Sequence, residues 1–146
     1  GYVLGDVNAL SYYDGVEVGY QPSDGRSRVW VIWAHWCPYC QEELPALSEW
    51  WVANADRYPN TDLVTVTTSE DPTRGNPLLP YLDESQFPFP VLMDADLALA
   101  QQFGTSAFPY WVVTGPDGRV LLRLAGQIGI QTTERLFDEV EAMAAA

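Results

Sequence analysis

The apolar positions of this chain change period at one place. Arg28 to Ala34 is a near-continuous run of β-branched and aromatic residues, Val29-Trp30-Val31-Ile32-Trp33, as in a central strand buried on both faces. From Cys37 the spacing turns helical: Leu44, Leu47, Trp51 and Tyr58 fall on one side, and Gln41, Glu42, Ser48, Glu49 and Asp56 on the other. This predicts an amphipathic helix of about five turns ending near Tyr58-Pro59-Asn60, with a kink at Pro45 that costs up to ~3 kcal/mol unless packing accommodates it. Thr61 to Thr68 reads as a second strand, and strand, long helix and strand make a right-handed parallel βαβ unit.

The flanks follow the same logic. Residues 1–27 predict a small N-terminal hairpin, with Asp14-Gly15 as a two-residue turn. After Thr68, residues 69–76 form a polar loop, Pro77 to Gln86 a short helix with Pro in its first turn, and Val91-Leu92-Met93 a short strand. Asp94 or Asp96 caps a helix that stops at Gly104. Phe108-Pro109 precedes a strand from Tyr110 to Thr114. Gly115-Pro116-Asp117-Gly118 then turns the chain into an antiparallel strand, Val120 to Leu124. The last helix runs from about Gln131 to Met143, with Leu136 and Val140 inward and a frayed alanine tail. Residues 1–146 show no repeat or linker and read as one α/β domain with a mixed sheet.

Composition narrows the function. With 47% hydrophobic residues, six Trp and eight Tyr in 146 residues, there is ample material for one core. The net charge is −13, and the seven cations, all arginine, are scattered, which argues against nucleic acid. Such acidity serves solubility or favours encounters with basic thiol proteins. No stretch approaches the ~18 apolar residues of a membrane span. The chain starts at Gly1 with no initiator Met and no signal sequence, which is compatible with a mature or trimmed chain and leaves a lost signal peptide or anchor open.

Both cysteines lie where the period changes, in Cys37-Pro38-Tyr39-Cys40. A helix N-terminus presents backbone N–H groups and positive dipole to the first sulfur, favouring the thiolate, so Cys37 reads as nucleophile. Cys40, one turn on and deeper, is set to resolve a mixed disulfide on Cys37. Zinc requires three or four protein ligands, whereas the chain offers two cysteines and His35, poorly placed to close a tetrahedron. A purely structural disulfide would close too short a loop to stabilise much. His35 either adds positive charge near Cys37 or faces solvent without a role.

Trp33-Ala34-His35-Trp36-Cys37-Pro38-Tyr39-Cys40 resembles the thioredoxin-fold signature W-A-x-W-C-x-x-C. With Glu42-Glu43-Leu44-Pro45, Phe89-Pro90-Val91, Asp94, Ala100 to Gly104 and Phe108-Pro109, residues 28–143 are similar to the TlpA/ResA/DsbE-like thiol–disulfide oxidoreductases. The resemblance implies a thioredoxin fold, a central mixed sheet flanked by helices, with residues 1–27 as an N-terminal extension and 77–93 as the strand–helix insertion. It implies that Pro109 is a cis-proline opposite the cysteines, leaving the backbone of Phe108 to pair with a partner strand. Trp36, Pro38, Tyr39 and Phe108 then border the partner, while Trp33 is core. Glu43 matches an acidic residue of the reductase-type members: either it exchanges a proton with Cys40, one helical turn away, or it is a solvated helix glutamate. Thioredoxin's buried Asp is replaced here by Val31.

The expected activity is extracytoplasmic disulfide exchange with protein thiols and disulfides. It needs no cofactor or metal, is carried out by a monomer, and leaves a membrane redox partner open; the direction of electron flow is not legible. Two rivals belong to other classes: a copper-delivery module, though those carry C-x-x-x-C and a distal histidine, and a non-catalytic binding module using the Trp-rich rim.

Overall fold

A computed structural model describes residues 2–82 and 87–146. The strands are β1 (Val7–Ser11), β2 (Glu17–Tyr20), β3 (Ser27–Trp33), β4 (Thr61–Thr68), β5 (Val91–Asp94), β6 (Tyr110–Thr114) and β7 (Val120–Ala125), and the helices α1 (Pro38–Asn54), α2 (Ala98–Gln102) and α3 (Gly129–Ala145). The sheet order is β2-β1-β5-β4-β3-β6-β7. β3 lies between β4, its parallel βαβ partner, and antiparallel β6, with Val31 opposite Thr65 on one side and Trp111 on the other.

Every residue of β3 is buried, so its alternation divides the interior into two layers. Val29, Val31 and Trp33 face a core completed by Leu44, Leu47 and Trp50 of α1 and Leu136, Phe137 and Val140 of α3. Trp30 and Ile32 face a second core with Leu4, Val7, Leu99 and Phe103. Trp50, Trp51, Tyr58 and Phe137 form an aromatic cluster between α1 and α3, with centroid separations of 5.1 to 6.3 Å. Because α1 packs on α3 as well as on the sheet, its buried stripe is wider than the heptad-like spacing implies. Glu43, Ser48 and Trp50 are buried, whereas Trp51 is only half-buried. α1 runs unbroken through Pro45.

Several elements differ from their sequence expectation. The N-terminal hairpin exists, but its strands end at Ser11 and Glu17; Gly15, at φ +69°, donates to the carbonyl of Ser11, and Asp14 Oδ1 accepts the amide of Val16, giving a wider loop than a two-residue turn. In place of the helix expected over Pro77 to Gln86 there is a 3₁₀ turn, Leu79–Tyr81. Pro80 has no N–H to donate, and residues 83–86 lie outside the described part. α3 begins two residues earlier than predicted and continues to Ala145.

Asp94 and Asp96 both serve α2. Asp96 Oδ1 accepts the amide of Ala98, while the buried Asp94 accepts those of Leu99 and Ala100 and the hydroxyl of Thr68. Cationic groups are mostly paired. Arg28, 3% exposed, bonds Asp24 at 2.6 Å; Arg26 forks onto Asp62, and Arg57 reaches Glu134 and Asp138 on α3. Asp94→Ala strands three donors, two of them at the helix start, and should cost about 2–3 kcal/mol. Urea unfolding checks this as a lower midpoint at unchanged slope, with Asp94→Asn, which keeps an acceptor oxygen, intermediate.

Candidate redox site

The site forms where β3 ends. Cys37 is the N-cap residue of α1, extended at φ −80° and ψ 121°, and Pro38 fills the first helical position, where a missing N–H is harmless. The Cys37 amide donates to the Ala34 carbonyl, and its own carbonyl accepts from Gln41, so the turn from strand to helix is closed on both sides. Both cysteines are free thiols. Cys37 retains 7% exposure and Cys40 none, so only the first sulfur is open to attack from outside.

Cys37 Sγ donates to the Phe108 carbonyl at 3.6 Å, and the Phe108–Pro109 peptide is cis, the isomer the resemblance implies. Trp36 is half-buried and packs edge-on against Phe108, with centroids 5.7 Å apart. Pro38 is exposed, and Tyr39, 62% exposed, stands at the outer rim. Trp33 is fully buried, as expected of a core residue.

Burial pushes the Cys40 thiol well above its ordinary value; the nearby Cys37 and Glu43 add to this, while a hydrogen bond involving the Ala34 backbone opposes it. Loss of the Cys40 proton therefore needs an acceptor close by. Glu43 is no solvated helix glutamate: it is 3% exposed, and its carboxylate accepts the amide of Gly129 at 2.8 Å and that of Ile128 at 3.1 Å, at the start of α3. Desolvation raises its carboxyl above the ordinary value, with the Gly129 and Ile128 amides and the Trp111 indole pulling the other way. Val31, where thioredoxin has an aspartate, is buried among apolar side chains.

His35 departs most from expectation. It is 3% exposed rather than solvent-facing, and its Nε2 accepts the Asp71 amide at 2.9 Å. The polar loop over residues 69–76 also holds Trp36: the Ser69 carbonyl accepts the Trp36 indole N–H at 2.8 Å. No local pattern pointed to this long-range pairing. One Glu43 partner did carry a signal: Gly129, at φ +79°, is a glycine at the start of a helix, where a free amide suits an anion. Among the described residues no three His, Cys, Asp or Glu side chains are grouped to hold a metal ion.

The chain has a thioredoxin-like fold, and it carries a strand-to-helix dithiol beside a cis-proline. The chain belongs to the AhpC/TSA family, whose sequence profile matches residues 11–123. It is similar to a nucleoredoxin of Arabidopsis thaliana, 27% identical over 152 residues, covering 96% of this chain and 25% of that protein. It thus spans about a quarter of that relative's length. Sporulation thiol-disulfide oxidoreductase A of Bacillus subtilis is 22% identical over 120 residues, covering 82% of this chain and 70% of that protein. Two solved structures share the fold. StoA from Bacillus subtilis has a TM-score of 0.71 at 19% identity, covering 94% of this chain and 98% of that one. The exposed lipoprotein thioredoxin of Streptococcus pneumoniae has 0.68 at 19%, covering 92% and 99%.

Glu43→Ala leaves the Ile128 and Gly129 amides without their acceptor and should cost about 1–3 kcal/mol, whereas Glu43→Gln keeps an oxygen there. A raised native carboxyl binds more protons than the unfolded one. The Glu43 contribution to stability is therefore fullest below the ordinary carboxyl range and declines as pH rises through the raised native value. Urea unfolding at a series of pH values should show that decline in wild type and not in Glu43→Gln.

Proposed function

We propose that this protein is an extracytoplasmic enzyme that exchanges disulfides with protein partners through Cys37 and Cys40. The observation that carries the reading is the asymmetry of the two thiols: Cys37 keeps a small exposed area beside the Phe108 carbonyl, and Cys40 is fully buried beneath it. In the reducing direction, the Cys37 thiolate attacks a partner disulfide, forming a mixed disulfide and releasing one partner thiolate. Cys40 then gives up its proton and attacks Cys37 Sγ. The mixed disulfide breaks, the second partner thiolate leaves, and the enzyme is left with a Cys37–Cys40 disulfide. The oxidising direction runs the same steps in reverse.

Glu43, in its ionised form, takes the Cys40 proton; what supports this is their shared burial one helical turn apart on α1. Trp36, Pro38, Tyr39, Phe108 and Pro109 border the partner, Phe108 offering backbone to an extended segment. The exposed rim of Pro38 and Tyr39 suits a broad protein surface. The extracytoplasmic assignment rests on the likeness to an exposed lipoprotein thioredoxin and a sporulation oxidoreductase. No helix among the described residues is long and apolar enough to cross a membrane. Copper delivery is disfavoured because both His35 ring nitrogens already face backbone partners.

Incubated with a disulfide-containing protein, Cys40→Ser should accumulate a covalent complex that dithiothreitol dissolves, and Cys37→Ser should form none; mass spectrometry reads both. A complex formed equally by both variants, or by neither, would count against the assignment. Titration of the Cys37–Cys40 couple against a thiol buffer gives the direction: a potential toward about −270 mV identifies a reductase, and one toward about −120 mV an oxidant.

A further inference from the structure

The one histidine of the chain is sealed inside the active-site turn and spends both ring nitrogens on a single loop. His35 Nδ1 lies 3.3 Å from the Gly75 carbonyl oxygen, and Nε2 lies 2.9 Å from the Asp71 amide nitrogen. A carbonyl only accepts and an amide N–H only donates, so the two bonds together select the neutral Nδ1–H tautomer. Gln41 Nε2, from α1, holds the His35 carbonyl at 3.0 Å and keeps the residue from withdrawing.

The loop anchored in this way returns to the dithiol. Ser69, at φ +54°, presents its carbonyl to the Trp36 indole, and the Arg74 guanidinium lies 4.3 Å from the Trp36 ring centroid. Trp36 rests on Phe108, whose carbonyl accepts from Cys37. Two of the three groups that hold Trp36 thus belong to the segment His35 ties down at Asp71 and Gly75.

We propose that His35 is a positioning residue for disulfide exchange: its neutral ring holds residues 69–76 against Trp36, shaping the partner-facing surface beside Cys37, and proton uptake by the ring releases that loop and weakens partner engagement. This rests on the exchange activity proposed above. Protonation turns Nε2 from acceptor to donor, so that it confronts the Asp71 N–H, and either ring or loop must move. The charged groups facing the ring come from the loop. The Asp71 carboxylate is bonded to the amide and hydroxyl of Thr73, which hold it below its ordinary value, with Arg74 adding a smaller pull. Glu70 precedes it on the exposed side, and the neighbouring titratable group on the active-site turn is the Cys37 thiol.

The test is an NMR titration of the reduced wild-type protein from about pH 8 to about pH 5, following the His35 ring proton and the Asp71 and Gly75 amides. The Asp71 amide should titrate with the imidazole, and its protection from hydrogen exchange should fall about tenfold or more on the protonated side, after correction for intrinsic exchange. In parallel, KM and kcat for reduction of insulin are measured over the same range and compared with the rate of Cys37 alkylation by iodoacetamide, which reports thiolate alone. Wild-type KM should rise at least about threefold as the ring protonates, with kcat tracking alkylation, whereas His35→Asn, which keeps a donor for Gly75 but cannot titrate, should show a flat KM. An Asp71 amide indifferent to the imidazole overturns the proposal, as does an identical KM profile in His35→Asn. If that variant does not fold, the wild-type NMR result decides. If wild type reduces no protein disulfide, the oxidoreductase reading fails, while the NMR titration still decides whether His35 holds the loop.

Discussion

β3 is bonded along both edges and buried on both faces, and that constraint sets the height of everything chemical in the molecule. Its register with β4 pairs Trp33 with Thr67, so the loop after Thr68 emerges level with the turn at Ala34 to Cys37. Its register with β6 pairs Ile32 with Tyr110, so Phe108 and Pro109 arrive at the same level from the other side. Three segments distant in sequence therefore meet around one sulfur. A one-residue slip on either edge would mismatch the side chains β3 sends into its two cores with those of its neighbours, so packing holds this alignment firmly.

Two buried carboxylates are held by one device, used twice. Asp94 accepts two amides at the start of α2, and Glu43 accepts two at the start of α3. Both answer the unmade bonds that every helix leaves at its first turn. Asp94 has a third donor in Thr68 and is fully committed to holding α2 on β4 and β5. Glu43 sits one turn from a buried thiol, so the same architecture that anchors α3 also keeps a titratable group beside Cys40. Structural and chemical demands on Glu43 cannot be separated by removing it; they can be separated by changing its charge alone.

The strands and the long helix were legible because their signals are local and strong. A six-residue apolar run, a change to helical spacing and a glycine–proline turn each point to one conformation. The strand Thr61–Thr68 was read to its limits, and the cysteines, the proline across from them and the aromatic rim stood out by type and order. What was not legible depended on the third dimension. Whether His35 and Glu43 are wet or dry is decided by residues 69–76 and by α3, which lie far along the chain. The width of the buried stripe on α1 likewise depends on a second helix packing beside it. Within the described residues, the helix expected after Pro77 is reduced to a 3₁₀ turn for a local reason, Pro80, which has no N–H to donate.

The absence of lysine acquires a meaning beside the ion pairs on Arg26, Arg28 and Arg57. Guanidinium keeps its proton across the whole range in which a protein stays folded. Apart from the chain's amino terminus and His35, the positive charge of this molecule is thus a constant, and its buffering comes from carboxylates, two thiols and tyrosines. The same property leaves its side chains without a primary amine, so amine-directed acylating and crosslinking reagents find no side-chain target. Thiol-directed reagents find Cys37.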